Sequence, residues 1–324
     1  MKKKKNPIIL GVGALAVLCA VYAGVTVYGK HADREKERKE EESQVWLTDI
    51  PEVTGISYKN QDGELSFVKE GGTWYYEGDR EFPLQQYRLT SLAAEAGKLK
   101  AVRQLAGGDS LEQYGLADPE RSVTVTGADG TSKTILVGSP VSEETGANYY
   151  AIIEGETTAA TISATLPEDL GRGLYDLIEL EKLPAIKGED VRELTITKGQ
   201  ESKTFVKDSG DNDGNVSWYR DATGSDANKL EDNSIPNALA DGLSQLTIAS
   251  CQNYKADQAA FIQYGLDAPQ AVIQYSYEKD GEKGSVRLEI GKTDESGTNY
   301  YTRKDDSRAV NLMSKELVDK CLND

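Results

Sequence analysis

Histidine is almost absent from this sequence: 324 residues contain one, His31, placed directly after an apolar run. A single imidazole there supports neither a Ser-His-Asp or Cys-His constellation nor a multi-histidine metal site. Cysteine is nearly as scarce, with Cys19, Cys251 and Cys321 the whole complement. Cys251 and Cys321 could pair in an exported body, but two cysteines do not make a disulfide framework. No phosphate-binding loop is present, since Gly11-Val-Gly13 lies inside the apolar run rather than after a strand. Positive charge is short as well. Lys and Arg number 37 against 54 Asp and Glu, a formal net charge of −17, and four of the positives are Lys2–Lys5. A body this acidic repels phosphate backbones, which argues against nucleic acid as a partner. Nothing in the residues calls for a cofactor. Hydrophobic residues at 38% and charged ones at 28% permit a folded core, and the length suits an anchor plus two domains of ~100–200 residues each.

What the chain does have begins with Pro7 to Tyr28, 22 residues without a charge. As a helix rising ~1.5 Å per residue this run reaches ~33 Å, the thickness of a ~30 Å hydrocarbon core. A secretory signal's apolar stretch is usually ~7–15 residues, so residues 7–29 are read as an uncleaved, single-pass transmembrane anchor, with cleavage after Val21-Tyr22-Ala23 as the rival. Lysines and arginines nearly balance across the run, with Lys30, Arg34, Lys36, Arg38 and Lys39 on its far side. Orientation therefore rests on the basic head, residues 1–6, which is read as a cytoplasmic tail with the rest of the chain extracytoplasmic. Ala16, Ala20 and Gly24 recur every four residues and offer one small-residue face for contact with a second helix. Val17-Leu18 are bulky where a lipidation signal carries small residues, so Cys19 reads as a buried, apolar-like thiol. Residues 30–46 interleave charges of both signs without an apolar stripe. The Glu35/Lys39 pair at i,i+4 marks them as a solvated helical stalk.

The remainder is duplicated. Tyr114-Gly115-Leu116-Ala117-Asp118-Pro119 recurs as Tyr264-Gly265-Leu266-Asp267-Ala268-Pro269. Asp129-Gly130 recurs as Asp280-Gly281, Gly138 as Gly291, and Gly146-Ala147-Asn148-Tyr149-Tyr150 as Gly297-Thr298-Asn299-Tyr300-Tyr301. Upstream, Phe67 and Trp74 answer to Phe205 and Trp218, and Leu92, Ala96 and Leu99 to Leu239, Leu243 and Leu246. Ordered matches whose spacing drifts along the chain describe one module copied once, with later insertions in loops.

Each copy alternates in the manner of half-buried strands at Ile56/Tyr58, Leu65/Phe67 and Trp74/Tyr76, with Asp62-Gly63 as a turn. Helical spacing follows Pro83 (Leu89, Leu92, Ala96, Leu99) and again Pro236. Strands resume at Val123/Val125, Ile135/Val137 and Tyr150/Ile152, and in the second copy at Leu194/Ile196, Val286/Leu288/Ile290 and Tyr301. A helix from about Ser314 closes the chain, and Leu174 to Ala185 joins the copies. The expected fold class is α+β: a transmembrane helix followed by two tandem antiparallel-sheet-plus-helix repeats, residues 47–183 and 184–324.

The anchor, the Trp-containing hairpin, the Tyr-Gly-Leu-x-x-Pro element and the Gly…Asn-Tyr-Tyr strand together resemble domain-of-unknown-function family 4340, over most of the chain from about residue 47. The resemblance implies a bacterial envelope protein without an assigned activity, in some cases associated with auxiliary components of ABC-type transporters. It supplies no catalytic residues.

Individual sites read modestly. The stretch Asp208-Ser-Gly-Asp211-Asn-Asp213-Gly214 imitates part of a calcium loop, but Ser209 falls at the first ligand position and Arg220 where a bidentate Glu belongs, so a solvated turn is expected and calcium is not. The repeated Asn-Tyr-Tyr offers Asn148, Tyr149, Asn299 and Tyr300 as candidate ligand or interface residues. Neighbouring strand residues point to opposite faces, so at most one Tyr of each pair looks outward. The Tyr-Gly-Leu-x-x-Pro element reads as a helix end, an apolar plug and a proline before the next strand. The functional expectation is a membrane-anchored, extracytoplasmic, non-enzymatic docking or accessory component with a protein partner in the membrane or envelope. The alternatives are a cell-wall carbohydrate- or peptide-binding module and a carboxylate-dependent hydrolase, the last kept open because 54 acids make carboxylate pairs inevitable.

Overall fold

The period-2 runs become strands in the computed structural model, which describes residues 44–106, 110–141, 148–208, 216–221 and 225–322. Strands β1 (Val53–Asn60), β2 (Gly63–Glu70) and β3 (Thr73–Tyr76) form an antiparallel meander. Ile56, Tyr58, Phe67 and Trp74 are all buried, as their alternation requires. Helix α1 (Gln86–Gly97) follows and buries Leu89, Leu92, Ala93 and Ala96. After the short β4 (Arg103–Gln104), a second meander runs through β5 (Arg121–Gly127), β6 (Ser132–Pro140), β7 (Tyr149–Ile153) and β8 (Ala160–Ile162), and α2 (Thr165–Leu170) closes the copy. Since β5 pairs with β1 and β4 with β8, the sheet runs β3-β2-β1-β5-β6-β7-β8-β4.

The second copy comprises β9 (Val191–Lys198), β10 (Glu201–Lys207), β11 (Trp218–Arg220), α3 (Ser234–Leu243), β12 (Ile248–Asn253), α4 (Gln258–Tyr264), β13 (Ala271–Lys279), β14 (Glu282–Thr293), β15 (Asn299–Lys304), β16 (Val310–Ser314) and α5 (Lys315–Leu322). Its sheet order, β11-β10-β9-β13-β14-β15-β16-β12, repeats the first strand for strand. Both eight-stranded sheets are antiparallel throughout, as the duplication in the sequence anticipates. The correspondence extends to register. Trp74 lies opposite Lys69 and Trp218 opposite Lys207, and each lysine ammonium sits over its indole, 5.7 and 5.4 Å from the ring centroid. The Trp218 indole N–H donates to the Asn237 side-chain oxygen on α3 at 2.8 Å, tying hairpin to helix. Pro236 sits within the first turn of α3, where a missing N–H costs nothing. Around it Trp218, Leu239, Leu243, Ile273 and Leu288 share one core.

Three expectations need adjustment. The compact units are not bounded by residues 47–183 and 184–324. One holds the described chain up to Glu77 with Tyr87–Arg172, and the other holds Gly78–Gln86 with the chain from Gly173 onward. The reason is local: Phe82 packs its ring edge-on against Tyr175 and Tyr254, at 5.5 and 5.0 Å, while the Tyr254 hydroxyl donates to the Asp79 carboxylate and Gln85 N–H donates to the Leu177 carbonyl at 2.8 Å. Segment 78–86, which falls inside the expected first repeat, is thereby part of the second unit. Next, Val45 and Trp46, assigned to the stalk, already belong to the first unit. The Val45 carbonyl accepts from Ala101 N–H at 2.9 Å, and Trp46 bridges to Lys100 with the Lys98 ammonium over its ring. Finally, Tyr300, read as a candidate ligand or interface residue, faces the main core. The anchor over residues 7–29, with Ala16, Ala20 and Gly24, and the stalk before residue 44 lie outside the described residues. Among the described residues no helix is long and apolar enough to cross a membrane.

Both indoles are almost wholly enclosed, and truncating a buried tryptophan removes its packing and leaves a cavity. Trp74→Ala and Trp218→Ala should each destabilise their own unit by about 3–5 kcal/mol in chemical denaturation. The double variant should lose close to the sum, because the two residues belong to different cores.

Candidate ligand groove beside the repeated Tyr-Gly-Leu element

The sheets bury apolar residues on both faces, and the Tyr-Gly-Leu element explains how. In the second copy α4 is capped by Asp257, whose carboxylate accepts from Ala260 N–H at 2.9 Å, and ends at Gly265, with φ of 73°. In the first copy a single 3-10 turn, Leu111–Tyr114, ends at Gly115 with φ of 67°. A left-handed residue reverses the chain at the helix end, and glycine adopts it without a Cβ penalty. The reversal drops Leu116 and Leu266 onto the sheet, where both are buried. Tyr114 packs tilted against Tyr150 and Tyr264 against Tyr301, with ring centroids 4.5 Å apart in both cases. Leu116 joins Ile152 and Ala159 in a satellite core; Leu266 joins Ala256 and Val310 in its counterpart.

This turn can lie flat because a glycine waits beneath it. A Cβ on Gly138 would stand 2.1 Å from the Tyr114 carbonyl oxygen, and one on Gly291 would stand 2.4 Å from that of Tyr264. Both glycines occupy a bulge. Pairing shifts between Val137 and Pro140 in β6, and at the equivalent place between Ile290 and Thr293 in β14. A bulge re-aims the side chain of its extra residue. That residue is Ser139 in the first copy and Lys292 in the second.

Here the copies part. Lys292 runs over Gly265 and sends its ammonium to the carbonyls of Ile262 and Gln263, at 3.5 and 3.2 Å, capping the end of α4. Ser139 is too short for that, and the first copy has an open groove of about 410 Å³ there. Asp118, Glu120, Arg121, Ser139 and Tyr149 line it. Nearby, the Ser110 hydroxyl bonded to Glu112 holds that carboxyl below the usual carboxylate range.

The four candidates from the Asn-Tyr-Tyr repeat divide accordingly. Tyr149 lines the groove, half-buried, with Asn148 beside it at the start of β7. Tyr300 is turned inward at 7% exposure, its hydroxyl donating to the Asp319 carboxylate at 2.9 Å and the Lys315 ammonium 5.1 Å from its ring centroid. Asn299 braces the turn before β15, its side-chain amide donating to Asp294 at 2.9 Å. That bond, with N–H groups from Asn299 and Thr298, holds the Asp294 carboxyl below its ordinary value. Aligning Val137-Gly138-Ser139 with Ile290-Gly291-Lys292 marks a change from lysine to serine at this place in the sequence, though not the groove that it leaves.

Other candidates are quiet. Cys251 and Cys321 are free and buried, and burial pushes their thiols up to about 11 and about 12. Asp208 bonds across its hairpin to Ser217, while the rest of the acidic loop lies outside the described residues. Among the described residues no group of three or more His, Cys, Asp or Glu side chains is arranged to hold a metal ion.

Compared with known proteins, the chain matches the family model described as Domain of unknown function (DUF4340) in two overlapping segments, residues 74–231 and 224–324. No curated protein and no solved structure matches it.

Two measurements test this geometry. Gly138→Ala or Gly291→Ala should overpack the turn against the sheet and cost about 1–3 kcal/mol each, read by denaturation. In Asn299→Ala, Asp294 should titrate closer to its ordinary 3.8, followed by side-chain carboxyl NMR. A depressed carboxyl pKa contributes stability above the unfolded value and loses it as pH falls through the folded one, so this variant should be less sensitive to acid in that window.

Proposed function

The chain belongs to the family of unknown function DUF4340, and from that premise we propose that it is a membrane-anchored, extracytoplasmic, non-enzymatic docking module, an accessory component of a membrane complex such as an ABC-type transporter system. The observation that carries the reading is the uncharged run from Pro7 to Tyr28 behind a basic head, long enough for a single-pass anchor with a cytoplasmic N-terminus. The interleaved charges between Lys30 and Ser43 suit a solvated spacer between bilayer and body. Two copies of one sheet module, each compact in itself, offer two sets of sheet surface, which supports docking as the reading. The one His of the sequence, adjoining the anchor, argues in the same direction.

Topology is the part most directly tested. Protease added to intact, wall-stripped cells should digest the body and leave a small membrane-embedded fragment. Protection of the body until the membrane is permeabilised would reverse the assignment. Co-purification from solubilised membranes, repeated with the anchor residues 1–29 removed, should recover transporter subunits only with the anchored chain. Recovery of wall polysaccharide in their place would move the reading to a carbohydrate-binding module.

A further inference from the structure

The two copies share strand order, bulge, glycine and tyrosine around the Tyr-Gly-Leu element, so the places where they differ there are informative. In the second copy two lysines complete this region from within the chain. Lys292 caps the carbonyls of Ile262 and Gln263, and Lys315 places its ammonium over the ring of Tyr300. By the shared register, the first copy has Ser139 where the second has Lys292 and Ala164 where it has Lys315. The acceptors persist: the carbonyls of Glu112 and Gln113 stand at the end of their turn as those of Ile262 and Gln263 do at the end of α4, and the Glu112 carbonyl, like that of Ile262, accepts one backbone N–H and keeps a second lone pair for a cation. Tyr149 lines the same groove as Gly115 and Ser139, and tyrosine rings attract ammonium groups. Asp118 and Glu120 add two carboxylates to the groove against the single guanidinium of Arg121.

We propose that the open groove of the first copy receives, from a partner protein, the kind of side chain that the second copy supplies for itself: a lysine, its alkyl stem crossing Gly115 and its ammonium reaching the carbonyls of Glu112 and Gln113 beside Tyr149. The occupant is a lysine on the surface of a protein partner, because Lys292 shows a protein-borne lysine fitting the equivalent place. The inference rests on the docking reading for its partner, but the groove is tested without one.

The probe is lysine capped as its N-acetyl, N′-methylamide derivative, titrated into the full-length chain in detergent micelles and followed by amide NMR. In the wild type the signals of Gly115, Gly138, Ser139 and Tyr149 should shift and saturate as one site. The same probe acetylated on its side-chain nitrogen should leave them unmoved. Ser139→Lys, which places an ammonium where Lys292 has its own, should weaken the response by about tenfold or more. Ala164→Lys, occupying the Tyr149 face, should do the same and decides the matter if Ser139→Lys fails to fold. Lys292→Ser should open a second site, seen at Gly265, Gly291 and Tyr300, in addition to the first. An unresponsive wild type, equal binding of the side-chain-acetylated probe, or undiminished binding in both lysine variants would each overturn the proposal. These outcomes leave the docking reading standing; that reading fails only if the body is not extracytoplasmic or the anchored chain recovers no membrane partner.

Discussion

Each half of this protein depends on a backbone approach that only glycine permits. At Gly138 and Gly291 the carbonyl of a tyrosine lies where any side chain would have a Cβ, which lets a helix end rest directly on a β-bulge. The contact places Leu116 or Leu266 on the second face of its sheet, so that a sheet already packed by helices on one side gains a small core on the other. It also fixes the tyrosine pairs Tyr114/Tyr150 and Tyr264/Tyr301 and aims the bulge residue along the turn. The repeated sequence element is therefore explained by packing, and the groove beside it is a consequence of that packing rather than its purpose.

The same scaffold carries two different surfaces. Where the second copy closes its groove with Lys292 and covers Tyr300 with Lys315, the first has small residues and an accessible tyrosine. Neither change disturbs the sheet, since both positions lie at the margin of the core and the strand order is identical. A difference of one capping side chain between the copies is physically inexpensive. The capping lysine is exposed in its own copy, so removing it sacrifices little stability. The fixed backbone carbonyls, in contrast, cannot be removed without unmaking the turn.

Much of the fold was legible because it is written in local patterns. Period-2 runs at Ile56/Tyr58 and Val123/Val125 give strands, the spacing of Leu89, Leu92 and Ala96 gives a helix, and repetition of these patterns gives two like modules. The pair Tyr300-Tyr301 shows where such reasoning stops. Alternation says that the two rings face opposite ways, but both faces of this sheet are covered, so it cannot say which ring meets which core. Trp46 shows the same limit where the expected stalk ends, since one cross-strand bridge ties it to the first unit.

The sequence by itself determined the duplication, the α+β class, the single histidine and an uncharged run of 22 residues. These follow from composition, periodicity and spacing, which need no knowledge of distant contacts. Only the tertiary structure decided that segment 78–86 folds with the second unit, that Asn299 and Tyr300 serve turn and core, and that the first copy has an open groove at Ser139. Apart from Asn299, whose bond to Asp294 is local, each of those turns on a contact between separate elements: Phe82 with Tyr254, Tyr300 with Asp319, Lys292 with the end of α4. Side-chain reach across such contacts is set by how the backbone brings elements together, and no local pattern encodes it.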